Sequence, residues 1–141
     1  MKHEHAAPAD LSKNQSIVVD VLARSGKPLS AYQILDQTHA LGVRAPQQVY
    51  RALERLLELH LVHRIESLNA YLFCEKGPHQ HQAAFAICTK CRATVEFSLQ
   101  QVVPSLDQAA KAIKFTVASA HVEVSGLCDA CKTMDAALAK N

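Results

Sequence analysis

PQQVYRALERLLELHLVHRIESLNAYLFC, running from Pro46 to Cys74, changes its hydrophobic period partway along. In the first part Val49, Ala52, Leu53, Leu56 and Leu57 recur at helical spacing and make one buried stripe. Pro46 suits the first turn of that helix, where its missing N–H would have had no partner. The opposite face carries Gln47, Gln48, Tyr50, Arg51, Glu54 and Arg55. After the helix come two short strands, Leu61–Glu66 and Ala70–Cys74, joined by Ser67-Leu68-Asn69.

Upstream, Ser12-Lys13-Asn14-Gln15 and Ser30-Ala31-Tyr32-Gln33 both have the S-x-x-Q pattern of a capping box. The first opens a helix with Ile17, Val18, Val21 and Leu22 inward, ended by Gly26 and Pro28. The second opens a helix with Ala31, Ile34, Leu35 and Thr38 inward, closed by Gly42. Three helices and a hairpin in this order describe a winged helix-turn-helix. A plainer reading is a small helical domain with an incidental hairpin. The polar face of the third helix argues against that, because Gln and Arg are the side chains that major-groove readers present.

Downstream, Cys88-x-x-Cys91 and Cys128-x-x-Cys131 repeat one spacing. Two such knuckles can converge on one tetrahedral zinc ion, and four thiolates close its shell. A closed shell indicates a structural metal, since catalytic zinc keeps a position open. The 36 residues between the knuckles are enough for a strand, a helix and a strand. The elements expected are strands 83–88, 94–97 and 117–125, a helix near 98–111 that Pro104 kinks or delays, and a short terminal helix. The alternative reading of the cysteines is two disulfides or unrelated thiols.

The fold class is therefore α+β: an N-terminal winged helix-turn-helix over 1–76, with 1–10 a loose arm, and a small α/β domain over 83–141 holding a four-cysteine zinc site. Residues 77–82, with Gly77-Pro78, make a hinge. At 141 residues and 49% apolar composition a core is available, but each half would be marginal by itself, which favours a metal or a dimer interface as an extra tie. No apolar run approaches the ~20 residues of a membrane span, and no secretory signal is visible. Five cysteines, an odd number, fit a reducing cytoplasm. The formal charge of +2 is evenly spread, so nucleic-acid binding must rest on a few placed cations and a dimer.

A second set of donors lies outside the knuckles: His63 and Cys74 on the hairpin, His79 and His81 in the hinge, and Glu96 on a later strand. Nitrogen, sulfur and oxygen donors of this kind suit zinc. Each also has an ordinary reading, as a wing residue, a small buried hydrophobe or a solvated carboxylate.

Val49-Tyr50-Arg51-Ala52-Leu53, the run Leu61 to Ala70, and Phe85-x-Ile87-Cys88-x-x-Cys91 resemble the Fur family of metal-dependent repressors, and within it the zinc uptake regulators. The resemblance spans about residues 11–133 and includes the H-x-H and both knuckles in order. It implies a homodimer with a C-terminal dimerisation domain, and a repressor of zinc uptake genes that binds double-stranded operator DNA when zinc-loaded. It implies a regulatory zinc on His63, Cys74, His81 and Glu96, beside the structural zinc on Cys88, Cys91, Cys128 and Cys131. A further metal on His79 and His121 is also implied. Base reading falls to Tyr32 and Arg51, with Tyr50 and Gln48 beside them. The chain departs from the family pattern in its short N-terminal arm and in Lys13-Asn14-Gln15, where Pro-Gln-Arg is usual. The Cys74–His81 segment is one residue shorter, which leaves His79 and His81 both open as the hinge ligand.

An iron or peroxide sensor, and a zinc store without DNA binding, are the alternative functions. The softer thiolate of Cys74 favours zinc over iron. An enzyme reading rests on His121-Val122-Glu123 before Cys128-x-x-Cys131, which mimics a zinc-deaminase signature. That chemistry needs a helix and a strand between its parts, whereas four residues separate Glu123 from Cys128. The chain is thus expected not to be an enzyme.

Overall fold

Ser12 and Ser30 start their helices by the same device. Ser12 Oγ accepts the Gln15 N–H at 3.2 Å while Gln15 Oε1 accepts the Ser12 N–H at 3.0 Å. Ser30 and Gln33 repeat the exchange at 3.2 and 2.8 Å. Each box satisfies two N–H groups that a helix start leaves without intrahelical partners. The computed structural model describes residues 10–75 and 82–139, except for the side chains of Gln82 and residues 136–139. Among the described residues no helix is long and apolar enough to cross a membrane. The chain divides into two compact units, Met1–Gln80 and His81–Asn141.

In the first unit α1 spans Lys13–Ser25, α2 Ala31–Thr38 and α3 Pro46–Glu58. Gly26 ends α1 at φ +63°, a left-handed cap that glycine adopts without a Cβ clash, and its N–H reaches Leu22 O. A 3-10 turn, His39–Leu41, carries the chain from α2 toward α3. The buried Thr38 hydroxyl donates to Val43 O at 3.1 Å and locks this turn. Val18, Leu22, Ile34, Val43, Val49, Leu53 and Leu56 are almost wholly buried in one core. Each large side chain there stabilises by about 1.5–3 kcal/mol through burial.

Strand β1, Val62–Ile65, pairs antiparallel with β2, Ala70–Phe73, as the wing. Asn69, at φ +47°, closes the turn between them, a left-handed position that asparagine tolerates well. β1 begins one residue later than the expected Leu61, whose N–H bonds Leu56 O and so finishes α3 instead. Leu29 forms an isolated bridge with Tyr71, exchanging backbone bonds of 2.9 and 2.8 Å. That bridge ties the start of α2 to the wing.

In the second unit β3, Gln82–Cys88, is the central strand. β4, Thr94–Phe97, pairs antiparallel on one side, and β5, Ala120–Gly126, parallel on the other. Between β4 and β5 runs α4, Val103–Ala112, and α5, Asp129–Ala139, follows β5. The strand, helix and strand expected between the knuckles are present. Pro104 delays the helix and does not kink it: α4 starts at Val103, with the proline in its first turn. β5 starts three residues after the expected Val117, because β3 begins at Gln82, opposite Ala120.

Candidate metal centres and nucleic-acid interface

The first knuckle follows β3 and the second leads into α5. The parallel pairing of β3 with β5 aligns Cys88 with Gly126 and so brings the two strand ends together. Thr89 reinforces the junction, its N–H bonding Gly126 O at 2.8 Å and its hydroxyl the same oxygen at 3.2 Å. Lys90 pairs with Asp135 of α5. The sulfurs of Cys88, Cys91, Cys128 and Cys131 lie within 4.8 Å of one another, and Cys91 Sγ and Cys128 Sγ are 3.7 Å apart. A tetrahedral site with ~2.3 Å zinc–sulfur bonds has sulfur–sulfur edges of ~3.8 Å, so this set fits zinc. The four cysteines are free thiols, and 3.7 Å is far longer than the ~2.05 Å of a disulfide bond.

The four thiols are not equivalent as acids. The backbone N–H groups of Cys128 and Cys91 draw the Cys88 thiol down to about 6, so it ionises readily. The Cys131 thiol is pushed up to about 12, first by the side chains of Cys128 and Cys88. Hydrogen bonding to those neighbouring sulfurs opposes loss of its proton. A divalent cation at the centre removes that opposition and lets all four bind as thiolates.

On the wing, the ligand atoms of His63 and Cys74 lie within 4.8 Å of each other. Cys74 is buried, and its N–H bonds Leu61 O at 2.9 Å. In the second unit Glu96 stands on β4 opposite Phe85, and Glu123 stands opposite the same Phe85 on β5. Strand alternation puts Glu96, Glu123 and His121 on one face of this sheet. His121 and Glu123 therefore belong to a strand, not to the helix that a deaminase requires. His79 and His81 lie outside the described residues.

The outward face of α3 presents Tyr50, 43% exposed, together with exposed Arg51, Glu54 and Arg55; Tyr32 on α2 is 65% exposed. Arg55 is paired with Glu58 at 3.1 Å. Gln48 has a second role. Its Oε1 accepts the backbone N–H groups of Arg44 and Ala45 at 2.9 and 3.1 Å, capping α3 where Ala45 offers no side-chain acceptor. What Gln48 can turn outward is its amide N–H pair, a donor only.

A wing, a helix with a basic and polar outer face, and a closed thiolate shell on a three-stranded sheet occur here in one chain. Residues 10–125 match the Ferric uptake regulator family. The chain belongs to that family. It is 33% identical over 121 residues to the zinc uptake regulation protein of Escherichia coli (strain K12), covering 84% of this chain and 71% of that one. It is similar to holo XcZur, at 36% identity and a TM-score of 0.79, over 90% of this chain and 89% of the other. It is also similar to a zinc uptake regulator solved with zinc and DNA, at 32% identity and a TM-score of 0.81, over 89% and 85%. For this Ferric uptake regulator family member, the capping role of Gln48 and the placement of Glu123 beside Phe85 escaped the sequence reading. An acceptor-less Ala45 three residues before Gln48 was the available signal for the first. The second depended on strand pairing.

Proposed function

We propose that the chain is a zinc-responsive transcriptional repressor that binds operator DNA as a homodimer when zinc-loaded and controls zinc uptake genes in the cytoplasm. It is not an enzyme in this reading. The observation that carries it is the nitrogen–sulfur pair of His63 and Cys74 on the wing, separate from the closed four-cysteine shell. One zinc is structural, on Cys88, Cys91, Cys128 and Cys131. A second, regulatory zinc takes His63, Cys74, Glu96 and His81, with His79 the alternative hinge ligand. His79 and His121 are the donors for any further metal. Residues 1–76 form the DNA-binding domain, 77–82 the hinge and 83–141 the dimerisation domain.

The dimer reading draws on the second unit's own surface. Val95, Ala86 and Val124 line up across the sheet in register, and all are exposed, with Phe97 and Leu127 exposed nearby. Apolar rows of this kind suit a second copy of the chain. Arg51 is the base reader, able to donate two bonds to guanine O6 and N7, with Tyr32, Tyr50 and the donor-only Gln48 around it. Regulation follows from ligands drawn from both domains: zinc favours one arrangement of the DNA-binding units, and DNA in turn tightens zinc by the same factor, ordinarily about 1–3 kcal/mol.

The test is DNA binding at buffered zinc on duplexes selected from a random library. The parent should bind only when zinc is supplied, and Cys74→Ser should move the zinc midpoint while the dimer stays intact. Binding that is indifferent to zinc would overturn the zinc response, no DNA binding with zinc supplied would favour a zinc store, and binding that follows iron(II) equally well would favour an iron sensor.

A further inference from the structure

Arg64 follows His63 on β1, so the two side chains leave the strand on opposite sides. The Arg64 side chain is 45% exposed and is held at two points. Its Nε lies 3.7 Å from Glu66 Oε1, and its Nη2 donates to Asn69 Oδ1 at 3.4 Å. Both partners are exposed residues of the turn between β1 and β2. An ion pair this long and this exposed is weak in water, so a better acceptor can take the guanidinium from it. A phosphate is such an acceptor, since its oxygens match the planar fork of donors.

Arg64 also lies beside the recognition surface. Its cross-strand partner is Tyr71, which is buried and fixed by the two backbone bonds with Leu29. Burial raises the Tyr71 hydroxyl's pKa, the Arg64 charge opposes this, and Tyr50, Glu66 and Glu54 add to it. β1, which carries Arg64, also packs against α3. With a net charge of only +2, the chain has no basic tract to hold a duplex by itself.

We propose that Arg64 is a DNA-backbone contact: on binding, its guanidinium exchanges Glu66 for a phosphate next to the groove that α3 enters. The inference rests on the DNA-binding reading above. It gives the wing two roles on one strand, a metal ligand on one side and a phosphate contact on the other. Glu66 acts as a competing anion that weakens the contact until DNA arrives.

The experiment compares the parent, Arg64→Ala, Arg64→Lys and Glu66→Gln as zinc-loaded full-length proteins. Anisotropy titrations use a selected duplex and a scrambled one across a range of salt. Arg64→Ala should weaken binding to both duplexes by a similar factor, roughly ten-fold for a dimer, and flatten the slope of log K against log salt by about one per protomer. Arg64→Lys should keep the parental slope. Glu66→Gln should tighten both duplexes. An unchanged slope in Arg64→Ala overturns the contact, as does weaker binding by Glu66→Gln, which is the result if the pair merely staples the wing. Should Arg64→Ala fail to fold, the salt slope of Arg64→Gln, which keeps most of the side chain's bulk without its charge, decides the matter. A parent that binds neither duplex in zinc defeats the DNA-binding reading itself and the contact with it; a parent that binds with unchanged Arg64→Ala slope defeats only the contact.

Discussion

Cys131→Ser removes one of four thiolates while disturbing little else. Cys131 lies half-buried in the first turn of α5, whereas Cys88 is buried at the end of β3 and its backbone takes part in the knuckle turn. Structural zinc in small domains contributes roughly 10–16 kcal/mol of apparent binding free energy that is also folding free energy. Divided evenly among four ligands, one thiolate accounts for about 2.5–4 kcal/mol. Among the described residues the second unit buries only Ala83, Ala84, Phe85, Ile87, Cys88 and Leu99. Three of these are bulky apolar side chains, together about 5–9 kcal/mol at 1.5–3 each. The loss of one ligand is therefore a large share of what holds this unit. The first unit, with its own core of Leu22, Ile34, Leu53 and Leu56, has no stake in the metal. Hydrogen exchange read by mass spectrometry, with zinc content measured on the same sample, should show residues 82–126 losing protection and residues 13–73 keeping it. If zinc is lost and 82–126 stay as protected as in the parent, the apolar contacts suffice and the metal is not what holds the sheet.

Three further outcomes are expected. Arg51→Ala should leave both zinc sites filled and cost specific DNA binding roughly 2–6 kcal/mol for a dimer, two guanine contacts at about 1–3 each; equal discrimination between specific and scrambled duplexes by mutant and parent would remove Arg51 from base reading. His63→Ala, like Cys74→Ser, should raise the zinc concentration needed for DNA binding and spare the tightly held zinc; an unchanged midpoint in both variants, read by competition with a chelator, would move the sensory site elsewhere. Acid should release the structural zinc. Protons compete with zinc for all four sulfurs, so stepping pH downward with a zinc indicator present should show progressive release; zinc retained into strong acid would count against a four-thiolate shell.

Much of this protein is local and was legible as such. Ser12 with Gln15, and Ser30 with Gln33, marked two helix starts because a capping box is closed within four residues. Gly26, Pro46 and the apolar stripe of α3 set boundaries and the buried face for the same reason. The two Cys-x-x-Cys spacings also predicted four donors on one metal before any strand was placed. Tertiary pairing decided the rest. Which residues face Phe85, and so put Glu123 on the same face as Glu96, depends on β5 lying parallel to β3, a contact between segments far apart in the chain. The late start of β5 depends on where β3 begins, and the bridge of Leu29 to Tyr71 on how the wing folds back onto the helices. Gln48 had the sequence position of a base reader, but the backbone path through Arg44 and Ala45 turned its carbonyl into a cap. Periodicity and spacing report what a residue's near neighbours in the chain require; hydrogen-bond partners across the fold are chosen by geometry that exists only once the distant segments have met.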